Sequence, residues 1–214
     1  MASEGKASPP PEREGKFITL EGLDGAGKST HVPALAALLR ARGVEVLVTR
    51  EPGGTPLAEN LRELLLSQQI DPVAETLLMF AGRSDHVRRV ILPALEAGRW
   101  VLCDRFTDAT RAYQGAGKGV ATDLIDALAR AVHSGLMPDR TLVFDCSWEV
   151  ARKRLATAGR PLDRFEQEGR EFFERARAAY LELARKWPDR VRIIDAERPV
   201  STINVELKEI VSTL

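Results

Sequence analysis

Residues 17–35 read FITLEGLDGAGKSTHVPAL and join an apolar run to a helical pattern through a glycine-rich turn. Within them, GLDGAGKS (22–29) fits the phosphate-loop pattern G-x-x-x-x-G-K-[ST], after a predicted strand and before a predicted helix. Glycines let backbone N–H groups approach an anion closely, and the N-terminus of the next helix adds positive potential. The stretch therefore predicts a site for the phosphates of a nucleoside triphosphate. Its expected members are Gly22, Leu23, Asp24, Gly25, Ala26, Gly27, Lys28, Ser29 and Thr30.

Two side chains of this loop carry the expected chemistry. Lys28 is expected to reach the outer phosphates, and the Ser29 hydroxyl to hold Mg²⁺. The competing interpretation is an ordinary glycine-rich turn between a strand and a helix. The motif alone serves kinases, GTPases, motors and regulators alike. A GTPase would normally carry an Asn-Lys-x-Asp base reader, which the sequence lacks.

Five short apolar runs alternate with longer helical patterns along the chain. The runs cover 17–21, 44–49, 100–104, 141–145 and 191–195, and the helical patterns cover 28–42, 56–68, 73–97, 120–134, 147–158, 165–186 and 200–213. Strands that are apolar throughout are typical of a parallel sheet covered on both faces. We therefore predict a three-layer α/β fold with a five-stranded parallel sheet. It forms one domain over residues 16–214, with a short lid at about 154–166, after a disordered tail over residues 1–15.

Composition excludes several classes of partner. The chain has 214 residues, 44% of them hydrophobic, and 31 basic residues balance 31 acidic ones. This neutral balance gives no sign of a nucleic-acid or membrane surface. No apolar stretch reaches the roughly 18 residues of a membrane span, and the N-terminus lacks the apolar centre of a signal peptide. Cys103 and Cys146 both lie in apolar runs, which favours buried thiols in a reducing compartment. We expect a cytoplasmic protein.

Arginines recur at strand ends and in one loop. Transfer of a phosphoryl group to an acceptor that is itself a phosphate requires extra positive charge, which the guanidinium fork supplies well. The candidates are Arg50, Arg83, Arg105, Arg160 and Arg164. Asp104 ends the third apolar run and is expected to orient Mg²⁺, together with Ser29. A salt bridge at the sheet edge is the competing interpretation of Asp104 and Arg105.

Four motifs in one order resemble bacterial thymidylate kinases. They are EGLDGAGKST (21–30), TREPGGT (49–55), DRFTDATRAYQG (104–115) and LDRFEQEG (162–169). The resemblance runs from about residue 16 to the end of the chain. It implies the phosphate-loop NTPase fold and Mg²⁺-dependent transfer of phosphate from ATP to dTMP, which yields dTDP for dTTP synthesis. It also implies a homodimer.

The resemblance implies roles for residues around the acceptor. Asp24 would contact the 3′-hydroxyl of dTMP, and Arg50 and Arg105 would hold its phosphate. Tyr113 would lie under the deoxyribose, where a 2′-hydroxyl would clash. The base would lie against two polar side chains, and the Glu51–Pro52 peptide would be cis. The two polar side chains are Thr110 and Gln114.

The stretch LLMFAGRSDH (77–86) would supply the rest of the base pocket. The family places an aromatic ring against thymine and an arginine near its O4, usually four residues apart. Four residues before Arg83 stands Met79, and Phe80 stands three before it. Positions three and four apart share one face of a helix. We therefore expect Phe80 and Arg83 to line the pocket, with Phe80 as plain core the alternative.

The stretch RLATAGRPLDRFEQEG (154–169) lies between two helical patterns and is either an ordinary loop or a lid over ATP. Some relatives carry an arginine within the phosphate loop, where this chain has Gly25. The missing charge is therefore expected from Arg160 and Arg164, acting as arginine fingers in cis. Arg154 competes with Arg160, because the segment is one residue longer than the usual pattern.

The expected mechanism needs no general base. The attacking oxygen belongs to the dTMP phosphate, which is already anionic at pH 7. Catalysis is then positioning and electrostatics by Lys28, Mg²⁺, Arg105 and the lid arginines. The alternatives are a nucleoside-monophosphate kinase for another base and an ATP-dependent switch or assembly protein. A switch of this kind would have no use for the TREPGGT stretch or for the DRF and YQG residues of the 104–115 stretch.

Overall fold

The computed structural model describes residues 14–214, so most of the predicted tail lies outside the described residues. Five parallel strands form one sheet in the order β2-β3-β1-β4-β5. Their bounds are β1 Phe17–Glu21, β2 Val46–Arg50, β3 Trp100–Asp104, β4 Arg140–Asp145 and β5 Val191–Asp195. All five predicted strands are therefore present. The largest difference is in β2, which begins two residues later than predicted because residues 44 and 45 are irregular and follow the turn at residues 42 and 43.

The helices follow the predicted patterns with one addition. Their bounds are α1 Lys28–Ala41, α2 Pro56–Ser67, α3 Pro72–His86, α4 Leu92–Glu96, α5 Thr107–Thr110, α6 Thr122–His133, α7 Trp148–Ala156, α8 Arg170–Lys186 and α9 Val200–Ser212. A π-helical turn, Val87–Ile91, joins α3 to α4, and a second, Arg111–Gly117, extends α5. The sequence patterns did not indicate α5. The predicted pattern at 165–186 becomes helical only from residue 170, because residues 164–167 form a separate turn.

The sheet is covered on both faces, as predicted. Along β1, Phe17 packs into one apolar cluster, whereas Ile18 and Leu20 pack into another. Along β3, Leu102 joins the cluster of Ile18, and Cys103 joins that of Phe17. Since successive side chains of a strand point to opposite faces, the two clusters lie on opposite sides of the sheet. The fold is a three-layer α/β arrangement.

The register of the strands brings three loops together at one edge. Asp104 at the end of β3 pairs with Leu20 of β1 and with Arg50 of β2. The backbone continues these ladders one residue further, because Glu51 N donates to Asp104 O at 2.9 Å and Arg105 N donates to Leu20 O at 2.9 Å. In open parallel sheets the carboxyl ends of the strands form the ligand-binding edge. No helix within residues 14–214 is long and apolar enough to cross a membrane.

Candidate active site

The phosphate loop leaves β1 through glycines that no other residue could replace easily. Gly22, Gly25 and Gly27 have φ values of 123°, 82° and 93°. A Cβ on Gly22 would lie 2.3 Å from Phe144 O. Lys28 curls back over the loop and donates from Nζ to Gly22 O at 2.8 Å. The loop is therefore shaped by its backbone, with the lysine amine held above it.

A cavity lies over this loop, and we call it the phosphate-loop cavity. It is lined by all the loop residues from Asp24 to Thr30, and also by Arg50, Asp104, Arg105, Arg154 and Arg160. Asp104 Oδ1 is buried and has no hydrogen-bond partner among the described residues. A buried carboxylate oxygen without a donor fits a cation, and Ser29 lines the same cavity. Residues 14–214 hold no group of three His, Cys, Asp or Glu side chains that could bind a metal alone. Mg²⁺ bound chiefly through phosphates and water needs no such group.

A second cavity, the Arg83 cavity, lies beside the first. Its wall contains Pro52, Met79, Arg83, Phe106, Ala109, Thr110, Tyr113, Gln114 and Phe165, with the side chain of Leu66. The two cavities share part of their lining, so they meet. The shared residues are Asp24, Glu51, Arg62, Arg105 and Asp163. A ligand in the Arg83 cavity would therefore face the phosphate loop across a junction that contains two arginines.

Arg105 lies at this junction in a constrained conformation. It is the only non-glycine residue with positive φ, at 73°, in the described part of the chain. Its guanidinium donates to Gly22 O at 3.1 Å and to Asp24 Oδ1 at 2.6 Å. Tyr113 OH donates to Asp24 Oδ2 at 2.8 Å, and its ring lies 4.6 Å from the guanidinium carbon. Unusual backbone conformations of this kind concentrate at functional sites.

The charge of Asp24 follows from these neighbours. Burial raises the pKa of Asp24, but the positive charges of Arg105 and Lys28 outweigh burial and hold that pKa below its usual value. Asp24 is therefore ionised at neutral pH. The anion holds Arg105 in place at the junction before any phosphate is bound.

Glu21 also stabilises this turn, although it is not among the site residues predicted from the sequence. Its buried carboxylate accepts hydrogen bonds from Phe106 N at 2.7 Å and from Tyr180 OH at 2.9 Å. Burial raises the pKa of Glu21 to about 8. Because Phe106 directly follows Arg105, the hydrogen bond to Phe106 N fixes the backbone where its conformation is least ordinary. The sequence did offer one sign of this role, because Glu21 is an acidic residue at the end of a buried apolar strand.

Arg83 lies in a buried ion cluster. Its Nε donates to Glu51 Oε2 at 2.6 Å, and its Nη2 donates to Thr110 Oγ1 at 3.1 Å. The other oxygen of Glu51 lies 3.0 Å from His86 Nδ1. The Glu51–Pro52 peptide is cis, as the resemblance implied. Arg83 Nη1 is buried without a hydrogen-bond partner among the described residues. This cavity therefore offers an unused N–H donor.

Met79 lines the Arg83 cavity, and Phe80 does not, contrary to our expectation. Phe80 is 1% exposed and packs in the interior against α6, with Ile125 and Ala129. Its ring lies 4.7 Å from the guanidinium carbon of Arg83. The α3 face is set by packing against α6, and that contact cannot be read from the spacing within 77–86. Phe80 therefore packs against Arg83 in the interior and does not line the cavity.

Two arginines of the β2–α2 region differ in placement. Arg50 lines the phosphate-loop cavity only, is 51% exposed and pairs with Glu59 at 2.8 Å. Arg62 of α2 lines both cavities and donates to Pro52 O at 3.0 Å. Burial and the nearby charge of Arg50 lower the pKa of Arg62. Arg62 was missed, because an arginine in an amphipathic helix is usually an exposed residue.

The three arginines of segment 154–166 occupy three different environments. Arg154 donates to Ala26 O at 3.3 Å and to Ala196 O at 2.7 Å, so it lies directly against the phosphate loop. Arg160 lines the phosphate-loop cavity, but it pairs with Glu166 at 2.5 Å and is 52% exposed.

Arg164 is outside the phosphate-loop cavity in the described structure, contrary to our expectation of a finger there. It pairs with the fully buried Glu75 at 2.5 Å and donates to Leu65 O at 3.0 Å. The structure therefore brings Arg154 and Arg160 to the phosphate-loop cavity, whereas Arg164 contacts Leu65 of α2 and Glu75 of α3. The reason is the buried carboxylate of Glu75, which lies far away in sequence.

The chain is similar to known proteins of one family. The family model described as "Thymidylate kinase" matches residues 20–207. The thymidylate kinase of Cupriavidus pinatubonensis is 55% identical over 202 residues, which cover 94% of this chain and 99% of that protein. The Bordetella pertussis enzyme is 57% identical over 193 residues, which cover 90% of this chain and 92% of that protein. The crystal structure of thymidylate kinase from Ehrlichia chaffeensis superposes with a TM-score of 0.75 at 35% identity, covering 92% of this chain and 98% of that chain. On this evidence the chain belongs to the thymidylate kinase family.

Proposed function

We propose that this protein transfers the γ-phosphoryl group of ATP to dTMP and so forms ADP and dTDP. The observation that carries the choice of acceptor is Arg83, whose buried Nη1 donor has no partner within residues 14–214. A buried N–H without a partner is costly, and a ligand that supplies an oxygen acceptor removes that cost. Thymine supplies such an acceptor at O4. Membership of the thymidylate kinase family supports the same acceptor.

Gln114 supports the choice of a thymine-like base. Its Nε2 donates to Glu75 Oε1 at 2.7 Å, so its carbonyl oxygen is the atom left to accept a hydrogen bond in the Arg83 cavity. Thymine presents an acceptor at O4 and a donor at N3. Cytosine presents the reverse pattern. The donor on Arg83 and the acceptor on Gln114 therefore favour thymine over cytosine, because an unmatched buried polar group is penalised.

The acceptor phosphate would lie at the junction of the two cavities. Arg105 and Arg62 line both cavities and supply the charge there, with Arg50 further out on the phosphate-loop side. The anionic phosphate needs no general base to attack. Lys28 and Arg105 neutralise charge as the phosphoryl group moves, since catalysis of this transfer is positioning and electrostatics. Arg154 and Arg160 are the lid residues in reach of the donor.

The sugar of dTMP would lie between the base and this junction. Tyr113 and Asp24 line that part of the Arg83 cavity and are joined by a hydrogen bond of 2.8 Å. Asp24 is the expected partner of the 3′-hydroxyl, and the Tyr113 ring limits space next to the 2′ position. Thr110 is already the acceptor for Arg83 Nη2 and orders the arginine beside the base.

Mg²⁺ is the proposed cofactor. Ser29 and Asp104 would hold it, because both line the phosphate-loop cavity and Asp104 Oδ1 has no donor in the described structure. When bound, the ion neutralises phosphate charge and orients the donor phosphates.

We also propose a homodimer in the cytoplasm. Three apolar side chains of α2 and α3 support a dimer, since Leu57, Val73 and Leu77 are 49%, 43% and 48% exposed.

A coupled assay of ADP release tests this function. ATP and Mg²⁺ are supplied with dTMP, dUMP, dCMP, dGMP, dAMP or UMP in separate reactions. We expect the fastest turnover with dTMP and slow turnover with dCMP. Fastest turnover with another nucleotide would keep the kinase and overturn the assignment of Arg83 and Gln114. Turnover of ATP that no acceptor stimulates would support a nucleotide-dependent switch instead.

A further inference from the structure

A buried carboxylate beside the Arg83 cavity joins three parts of the chain. Glu75 of α3 is fully buried. It accepts hydrogen bonds from Gln114 Nε2 at 2.7 Å, from Lys118 Nζ at 2.9 Å and from Arg164 Nη2 at 2.5 Å. All three donors are themselves largely buried. One carboxylate is therefore surrounded by two cations and an amide that lines the cavity.

Arg164 connects this carboxylate to the lid segment, residues 154–166. Its Nε also donates to Leu65 O at 3.0 Å, so the guanidinium bridges α2 and α3. The residues on either side of Arg164 in the chain, Asp163 and Phe165, both line the Arg83 cavity. Fixing Arg164 therefore fixes two wall residues of that cavity. The guanidinium carbon also lies 4.4 Å from the Phe165 ring, which orders the same wall.

We propose that Glu75 is a positioning residue that completes the acceptor site before ATP binds, holding the lid wall through Arg164 and orienting the Gln114 amide. This inference rests on the proposed function, because the acceptor is taken to be dTMP. It gives Arg164 the role of holding its neighbours Asp163 and Phe165 in the wall of the acceptor site, and removes Arg164 from the set of arginines that touch the transferring phosphate. It also links base recognition and lid position through one buried ion cluster.

The orientation of Gln114 follows from the chemistry of its partner. An ionised carboxylate only accepts hydrogen bonds, so the side-chain NH₂ of Gln114 must face Glu75. Lys118 and Arg164 also donate to Glu75, so the carboxylate oxygens act as acceptors in all three contacts. The carbonyl oxygen of Gln114 is then left to the Arg83 cavity in one fixed orientation. Base discrimination by Gln114 therefore depends on its hydrogen bond to a residue that does not touch the base.

Arg164 is poorly placed to contact the transferring phosphate as an arginine finger. Its side chain is only 10% exposed, against 52% for Arg160, and both of its hydrogen-bond partners lie in α2 and α3. If Arg164 moved to the phosphates, it would leave Glu75, and this buried carboxylate would then pair only with Lys118. Removing one partner of a buried ion pair is strongly unfavourable. Arg154 and Arg160 already line the phosphate-loop cavity.

The deciding experiment measures binding of dTMP without ATP. Titration calorimetry gives the Kd of dTMP for the wild-type chain and for Arg164→Gln, each free of nucleotide. We expect the variant to bind about tenfold more weakly, the loss of about one good hydrogen bond. At saturating dTMP its kcat should stay within about threefold of the wild-type value. An unchanged Kd of dTMP with a large fall in kcat would overturn the proposal and restore a finger role.

A matched control separates positioning from general stability. Arg190 pairs with the buried Asp108 at 2.6 Å and is about as buried as Arg164, and it lines neither cavity in the described structure. Arg190→Gln should lower the thermal unfolding temperature as Arg164→Gln does, and should leave the Kd of dTMP unchanged. Equal weakening of dTMP binding in both variants would overturn the proposal, because the effect would then be general loosening.

A second variant tests the orientation of Gln114. Glu75→Gln offers an amide that can donate or accept, so Gln114 is free to turn over. We expect the ratio of kcat/KM for dTMP to that for dCMP to fall by about tenfold. An unchanged ratio would overturn the role in base discrimination. If the wild-type chain itself bound no dTMP, the proposed function would fail, and this inference would fail with it. A wild-type chain that binds dTMP, with variants that bind it equally, would defeat this inference alone.

Discussion

Arg83 Nε and Glu51 Oε2 lie 2.6 Å apart in a fully enclosed ion pair, and this pair sets the direction of the Arg83 fork. Because Nε faces Glu51 and Nη2 faces Thr110, only Nη1 remains without a partner among residues 14–214. A charged donor held in one orientation is costly to leave unpaired. The ion pair thus holds the arginine in one orientation, and under the proposed function Nη1 is the donor to an acceptor atom on the base.

Arg83→Lys tests this reader while it keeps a positive charge beside Glu51. The lysine amine can pair with the carboxylate, but it cannot serve Glu51, Thr110 and a base together. We expect kcat/KM for dTMP to fall by about 10- to 100-fold, the range of one hydrogen bond to a charged group. The affinity for ATP should not change, and a nucleotide titration checks it. Full kcat/KM in the variant would show that Nη1 is not used.

Arg105→Ala tests the junction of the two cavities. Arg105 touches Gly22 O and Asp24, and removing it deletes the cation that lies between the phosphate loop and the Arg83 cavity. We expect kcat/KM for dTMP to fall by about 10³-fold or more, because charge developing in transfer loses its partner. The Kd of ATP should stay nearly unchanged. Arg105→Lys is the control for charge, and it should recover only part of the loss, since an ammonium lacks the fork.

The sequence predicted the sheet well for a physical reason. β1 is buried along its whole length, and strands covered on both faces carry continuous apolar runs that are easy to see. The α5 helix was missed because its residues, TDAT, are polar or small and buried all round, so they show no apolar period. The phosphate loop could be predicted because the backbone shape that binds phosphates requires glycines and a lysine at fixed positions in the sequence.

The parts that failed depend on contacts between distant residues. Glu75 and Arg164 are 89 positions apart, so nothing local to the lid indicates that this arginine turns away from the phosphate loop. The choice between Met79 and Phe80 depends on α6, which covers one of them. Local spacing defines a helix face to within one residue, and the packing of a neighbouring helix decides which side chain is enclosed.

Paired substitutions at Met79 and Phe80 test that choice. Met79→Ala removes part of the wall of the Arg83 cavity, and we expect KM for dTMP to rise by about 3- to 10-fold with little loss of stability. Phe80→Leu leaves a gap in the interior and should lower the free energy of unfolding by about 1–2 kcal/mol. Steady-state kinetics and urea unfolding on both variants check this. If Met79→Ala lowered stability and Phe80→Leu raised KM for dTMP, Phe80 would be the residue that lines the base site.

The exposed apolar side chains of α2 and α3 lead to a prediction about assembly. If Leu77 lies in a homodimer interface, Leu77→Arg places a charge where a partner would pack, and we expect a monomer mass for this variant. The wild-type chain should give a dimer mass by light scattering at micromolar concentration. Val205→Arg, on another exposed apolar residue in α9, is the control and should remain dimeric. A clean monomer mass for the wild-type chain would remove the homodimer.

His133 predicts a dependence of stability on pH. Its Nδ1–H donates to Leu136 O, so its Nε2 accepts from Thr107 OH at 2.8 Å, and the ring is neutral. Burial and the charge of Arg83 lower the pKa of His133 from 6.5 to about 4. A histidine with a pKa lowered by folding contributes stability above pH 6.5, and this is lost as the pH falls towards 4.

We therefore expect the wild-type chain to lose roughly 3 kcal/mol of unfolding free energy through His133 between pH 6.5 and 4. His133→Gln keeps an acceptor for Thr107 and cannot be protonated in this range. The variant should be less stable than the wild type at pH 7.5, but the difference should shrink as the pH falls. Urea unfolding of both proteins from pH 7.5 to 4.5 measures this difference directly. Parallel curves would mean that His133 titrates normally in the folded state, and that its burial does not control its charge.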